Sequence, residues 1–114
     1  MKRGDVYWAA LKPRSSSEQT GRRPVILLSN DGFNSVTSWR SIIVVPLSTS
    51  SKQSLRGPTA IFIAKGEANL KEDSIALCHQ ITTLDRSKLS GMIGELSNMV
   101  LQEVEEGVRA AVDL

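Results

Sequence analysis

At 114 residues, with 40% hydrophobic and 23% charged side chains, the chain has the size and composition of one globular domain rather than a disordered segment. A single cysteine, Cys78, excludes an intramolecular disulfide framework, and with His79 the only histidine a Cys/His zinc site is not expected either. The net charge is only +2, but it divides into +6 over residues 1–56 and −4 over residues 57–114, a concentration of cations that suggests an anionic partner such as nucleic acid, or else a solvated face.

In chain order, Asp5 to Leu11 is short and aromatic-bearing between Gly4 and Pro13 and predicts a strand. Lys12 through Gly21 is a polar loop, long enough to suggest a functional role. Pro24 to Ser29 is a continuous apolar run with β-branched residues, the pattern of a strand buried on both faces. Asn30 to Asn34 breaks the run as a turn or one short helical turn. Ser41 to Leu47 is a second buried strand, and its Pro46, which cannot donate to a ladder, places that end at an edge or bulge. A second polar loop, from Ser48 to Pro58, carries Lys52 and Arg56.

Strand character resumes at Thr59 to Ala64, turns at Lys65 to Asn69, and returns at Asp73 to His79, with Gln80 to Leu84 continuing or bending it. Gly91 to Leu96 predicts a short final strand. From Ser97, an N-cap residue, the period changes: Val100, Leu101, Val104, Val108, Ala111 and Val112 fall at helical spacing. Gly107 inside that helix costs about 1 kcal/mol relative to alanine, so the helix must be held by packing. Five to seven strands and one C-terminal helix predict a mainly β domain, a small barrel or sandwich. No apolar run reaches the roughly 18–20 residues of a membrane span, the N-terminus lacks a secretory h-region, and a cytoplasmic location is expected.

Several short strings, taken in order, carry a specific resemblance. They are Arg3-Gly4-Asp5-Val6-Tyr7-Trp8, Ser17-Glu18-Gln19, Gly21-Arg22-Arg23-Pro24-Val25-Ile26 and Ser29-Asn30, followed by Val44-Val45-Pro46-Leu47-Ser48, Asp73-Ser74-Ile75 and Gln80-Ile81-Thr82-Thr83-Leu84-Asp85. Together, over essentially the whole chain, they resemble the MazF/PemK family of toxin endoribonucleases. The resemblance implies a small SH3-like β-barrel with a C-terminal helix (the CcdB/PemK-like barrel) as one domain over residues 1–114, working as a homodimer. It implies cleavage of single-stranded RNA, messenger RNA in particular, at short motifs and without a metal or other cofactor. It also implies a cognate MazE-like antitoxin as partner.

The resemblance assigns roles to particular residues. Arg23, before a proline that biases its backbone extended, matches the family's catalytic arginine; a guanidinium stays charged and grips phosphate bidentately. Ser48 stands where a threonine usually contacts the scissile phosphate and keeps the hydroxyl, with Thr49 adjacent. His79 occupies the position of a proton-transferring aspartate in the PemK branch, and imidazole titrates near neutrality; a structural histidine is the alternative. Two departures, Ser17 for a histidine and Leu77 for an arginine, keep the PemK catalytic set from transferring whole. For RNA binding, Glu18 and Gln19 suit base edges, Lys12, Arg14, Lys52 and Arg56 suit phosphates, and Asn30, Thr49 and Gln80 are further candidates. Trp8 and Trp39 are candidates for base stacking, for core or for interface. Two rival functions are a CcdB-like gyrase poison, disfavoured by the absence of a C-terminal aromatic, and a catalytically inactive RNA-binding barrel.

Overall fold

A computed structural model describes residues 1–11, 21–50 and 57–114. Its strands are β1 (Asp5–Leu11), β2 (Gly21–Leu27), β3 (Ser41–Ser48), β4 (Ala60–Ile63), β5 (Ser74–Leu77), β6 (Thr82–Asp85) and β7 (Leu89–Glu95). Helix α1 is the single turn Asp31–Asn34 and α2 spans Asn98–Val112. Every strand pairing is antiparallel, in the order β4-β5-β3-β2-β1-β7, with β6 branching from β3. β4 and β7 end this path without pairing to one another, so among the described residues hydrogen bonding does not close the sheet into a ring.

The apolar run of β2 is buried on both faces, as its composition predicts. Ile26 packs with Val6, Val45, Leu47 and Val104 of α2, whereas its neighbours Val25 and Leu27 join Ala9, Ile42 and Val44 on the opposite face. β3 is the joint of the fold. Its first half, Ser41–Val44, pairs with β6, and its last residues, Leu47 and Ser48, pair with β5, while β2 lines its other side. The expected edge or bulge at Pro46 is therefore corrected: β3 is interior, and Pro46 sits in the gap where one ladder partner gives way to the next, a place that tolerates a missing N–H.

Two boundaries also differ from the pattern-based expectation. The strand expected over Asp73–His79 ends at Leu77, and Cys78–Gln80 form a 3₁₀ turn, so His79 follows the strand instead of ending it. The final strand begins at Leu89, two residues before Gly91, because β1 recruits it: Ala9 pairs with Leu89 and Trp8 with Ser90. Gly91 lies in the irregular part of that ladder with φ +63°, a conformation that favours glycine.

Ser97 caps α2 as expected, its hydroxyl accepting from the Val100 amide. Gly107 has a steric reason: a Cβ there would lie 2.7 Å from Cys78 Sγ and 2.8 Å from Ile61 Cγ1. The helix thus lies closer to β4 and the Cys78 turn than alanine would allow. Elsewhere, the Arg86 guanidinium donates to the carbonyls of Phe33, Asn34, Val36 and Trp39, gathering the segment between α1 and β3 around one side chain. No helix among the described residues is long and apolar enough to cross a membrane.

Candidate active site

A cleft of about 490 Å³ opens at the end of the sheet where β1, β2 and β7 meet the turn leading into β5. Trp8, Arg22, Arg23 and Pro24 line one side, Met92 and Ile93 of β7 another, and Lys71 and Glu72 the turn. The chain folds this way because β1 is shared: Trp8 pairs with Pro24 on one side and Ser90 on the other, bringing residues from three distant stretches to one place.

Arg23 is exposed near the start of β2, opposite the fully buried Ala9 of β1. The β2–β3 ladder runs from Leu27–Val44 to Val25–Pro46, and continuing that register by two residues brings Arg23 opposite Ser48. Opposed residues on antiparallel strands share a sheet face, so the register aligns the two residues that the resemblance had paired. The Ser48 hydroxyl is buried and accepts from the Ser50 amide at 3.1 Å, which leaves its proton to donate. Thr49, one residue on, lines the cleft itself. The extended register thus aligns Ser48 with Arg23, while Thr49 shares the cleft lining with Trp8, Arg22 and Arg23.

Arg22 was not singled out by sequence. Its guanidinium lies 4.3 Å from the centroid of the Trp8 ring, a cation–π stack between diagonal neighbours on β1 and β2. Lys71, Glu72, Ser74 and Met92 also reach the cleft without having been anticipated. Met92 arrives through the β1–β7 register and Lys71, Glu72 and Ser74 through the turn into β5, long-range placements that no local pattern carries.

The remaining predicted residues are dispersed. His79 sits in the 3₁₀ turn, half-buried, with Nδ1 3.4 Å from Thr59 Oγ1, and is not among the residues lining the cleft. Gln80 follows it, also half-buried. Burial pushes the neighbouring Cys78 thiol up to about 11, so it supplies no thiolate near neutral pH. Asn30 has a capping role: its side chain accepts from the Gly32 amide at the start of α1. Trp39 stacks on Phe33, ring centroids 4.7 Å apart, both partly exposed. Lys12, Arg14, Glu18, Gln19, Lys52 and Arg56 lie outside the described residues.

The charge split of the sequence is partly spent within the molecule. Lys2 pairs with Glu95 and Arg40 with Asp85, at 3.0 and 3.1 Å, and Arg3 pairs with Glu105. Bases of the first half thereby hold acids of the second, and Arg22 and Arg23 line the cleft. No three His, Cys, Asp or Glu side chains among the described residues converge as a metal-ligating group.

Comparison with known proteins places this geometry. Residues 2–112 match the family model described as PemK-like, MazF-like toxin of type II toxin-antitoxin system. The chain is 35% identical over its full length to an endoribonuclease MazF of Staphylococcus saprophyticus, covering 92% of that protein. Its fold is similar to a crystal structure of MazF from Deinococcus radiodurans, with a TM-score of 0.81, 23% identity, and 100% and 97% of the two chains covered. It is also similar to a mycobacterial endoribonuclease in complex with its cognate antitoxin, with a TM-score of 0.74, 21% identity, and 98% and 94% covered.

Proposed function

Because the chain belongs to the family of PemK-like, MazF-like toxins of type II toxin–antitoxin systems, we propose that this endoribonuclease cuts single-stranded RNA using the substrate's own 2′-hydroxyl as nucleophile. The observation that carries the reading is Arg23 in a cleft, within a chain that matches an endoribonuclease along its whole length. The 2′-oxygen attacks phosphorus as its proton passes to a base. The bond from phosphorus to the 5′-oxygen then breaks, and an acid delivers a proton to that oxygen. The products are a 2′,3′-cyclic phosphate and a 5′-hydroxyl. No metal is required by this route, since the cation that neutralises the developing phosphorane charge is the Arg23 guanidinium. The Ser48 hydroxyl, aligned with Arg23 by the β2–β3 register, donates to a phosphate oxygen, with Thr49 on the adjoining wall. His79 is the proton carrier proposed in this scheme because imidazole has the ordinary pKa nearest neutrality, although it stands in the Cys78–Gln80 turn and not in the cleft lining.

The same reading includes messenger RNA as substrate, a MazE-like antitoxin as inhibitor, a homodimer as working form, the cytoplasm as location and the SH3-like barrel as a description of the curled sheet. Incubation of the purified protein with a long RNA in EDTA, followed by mapping of the ends, tests the core of it. Cuts at a recurring short motif that leave cyclic phosphate and 5′-hydroxyl termini are expected. Intact RNA together with inhibition of gyrase supercoiling would transfer the chain to the CcdB-like reading. Binding without cutting would make it an inactive RNA-binding domain.

A further inference from the structure

We propose that the Arg22–Trp8 stack is a nucleobase-stacking subsite, which seats one base of the RNA on the outer face of the Arg22 guanidinium while an adjacent phosphate crosses the end of β2 to Arg23. The inference rests on the reading of the cleft as an RNA site and adds the residues that hold a base there.

Three observations carry it. First, the indole is fixed in place. Trp8 is half-buried between β2 and β7, and β7 bends around its edge at Gly91, where an added Cβ would lie 3.8 Å from Trp8 Cδ1. Second, the face of the indole is covered by a flat cation. Arg22 is exposed, and its guanidinium carbon lies over the ring, 4.3 Å from the centroid. Among the described residues Arg22 forms no ion pair, and the partner they offer its charge is the Trp8 indole. A guanidinium plane laid on an aromatic ring offers its second face to another flat ring, and RNA bases stack on arginine planes in this manner. Third, the surroundings suit one nucleotide. The cleft encloses about 490 Å³ with half-exposed Met92 on the facing wall, within the range of sites that take small ligands. Successive residues of a strand point to opposite faces. At the strand end both side chains nonetheless line the cleft, so Arg22 addresses the base and Arg23 the adjacent phosphate.

The stack recognises a π-face and so tolerates any base. That property allows a test independent of cleavage and of its sequence motif. The probes are 2′-O-methyl homopolymer dodecamers of A, C and U, together with a dodecamer of abasic tetrahydrofuran phosphates that has the same charge and no bases. Arg22→Lys keeps the positive charge and removes the planar face. It is expected to weaken the best-bound base-bearing dodecamer about 5- to 140-fold, the range that a base-stacking contact carries, and to leave affinity for the abasic dodecamer within about twofold. In a Trp39→Phe background, Trp8 is the only tryptophan, and its emission should change with the base-bearing dodecamer and not with the abasic one. Equal weakening of both probes would reduce Arg22 to a phosphate contact, and unchanged binding of both would reduce the stack to a structural one. Failure of the wild type to bind any base-bearing dodecamer would also overturn the proposal. The cleavage assay is read separately: stacking without cleavage would remove the proposed reaction and keep the subsite, and cleavage with an indifferent Arg22 would do the reverse.

Discussion

Extended by two residues, the β2–β3 register aligns Arg23 with Ser48, and their substitutions should separate charge from hydroxyl. Arg23→Ala is expected to abolish cleavage, with the folded state unchanged in circular dichroism and thermal unfolding, because Arg23 is exposed and the proposed reaction needs its charge only in the transition state. Ser48→Ala should lose more than about tenfold in rate and Ser48→Thr should retain activity, since a single hydrogen bond to a charged group contributes about 1.5–3 kcal/mol. Normal cutting by Ser48→Ala with loss in Thr49→Ala would move the phosphate contact one residue onto the cleft wall. His79 sets the second prediction. It is the chain's only histidine, with an ordinary pKa of about 6.5. If it accepts the 2′-hydroxyl proton, log rate rises with unit slope below its pKa and then levels; if it donates to the leaving oxygen, the rate falls above that pKa. His79→Gln is expected to erase the limb and lower the plateau by at least about 100-fold. An unchanged profile would return His79 to its packing beside Thr59. At this scale Arg23 was legible from the Arg-Pro string at the start of an apolar run. Arg22 was not, because a diagonal stack across two strands depends on a register that neither strand declares alone.

Among the elements, α2 shows where helix propensity gives the wrong sign. Gly107→Ala should stabilise an isolated helix by about 1 kcal/mol. Here the new Cβ meets Cys78 Sγ and Ile61, and overpacking of this kind costs about 1–3 kcal/mol. A lower Tm is expected from Gly107→Ala, with Cys78→Ala recovering part of it in the double variant because the two sites touch; purely additive effects would deny the contact. The turn Arg86–Lys88 gives a pH-dependent case. The Asp85 carboxylate accepts from Ser87 and pairs with Arg40, and these hydrogen bonds hold its pKa well below the usual carboxylate range. A depressed folded-state pKa contributes stability that is complete above the unfolded value of about 4 and is lost as pH falls toward the folded one. Wild type should therefore exceed Asp85→Asn in unfolding midpoint at pH 7, and the gap should narrow steadily below about pH 4. A constant gap would attribute the loss to geometry alone. The periodicity of α2 and the double-sided burial of β2 could be read from composition. The interior position of β3 could not, because Pro46 is an edge signal unless the strand changes partner beside it.

For the whole molecule, the uneven charge has two destinations. Part of it ties the halves of the chain together through Lys2–Glu95, Arg3–Glu105 and Arg40–Asp85, which sequence alone could not distinguish from a free cationic surface. The cleft keeps Arg22, Arg23 and Lys71 against Glu72. An acidic antitoxin segment that orders on binding should be drawn to these cations and displace RNA one for one in a competition titration; simultaneous binding at undiminished affinity would place the antitoxin elsewhere. The pairing of β1 with β7 has a further consequence. Asp5 meets Glu95 across nearly the full sequence, the kind of long-range closure that carries a high entropic cost and is slow to form. The β1–β2 hairpin can exist without it, but one wall of the cleft cannot, since Met92 and Ile93 arrive only with β7. A nicked, truncated or half-folded chain would keep its arginines and lose the groove around them. The cleft then belongs to the finished topology and not to any single segment.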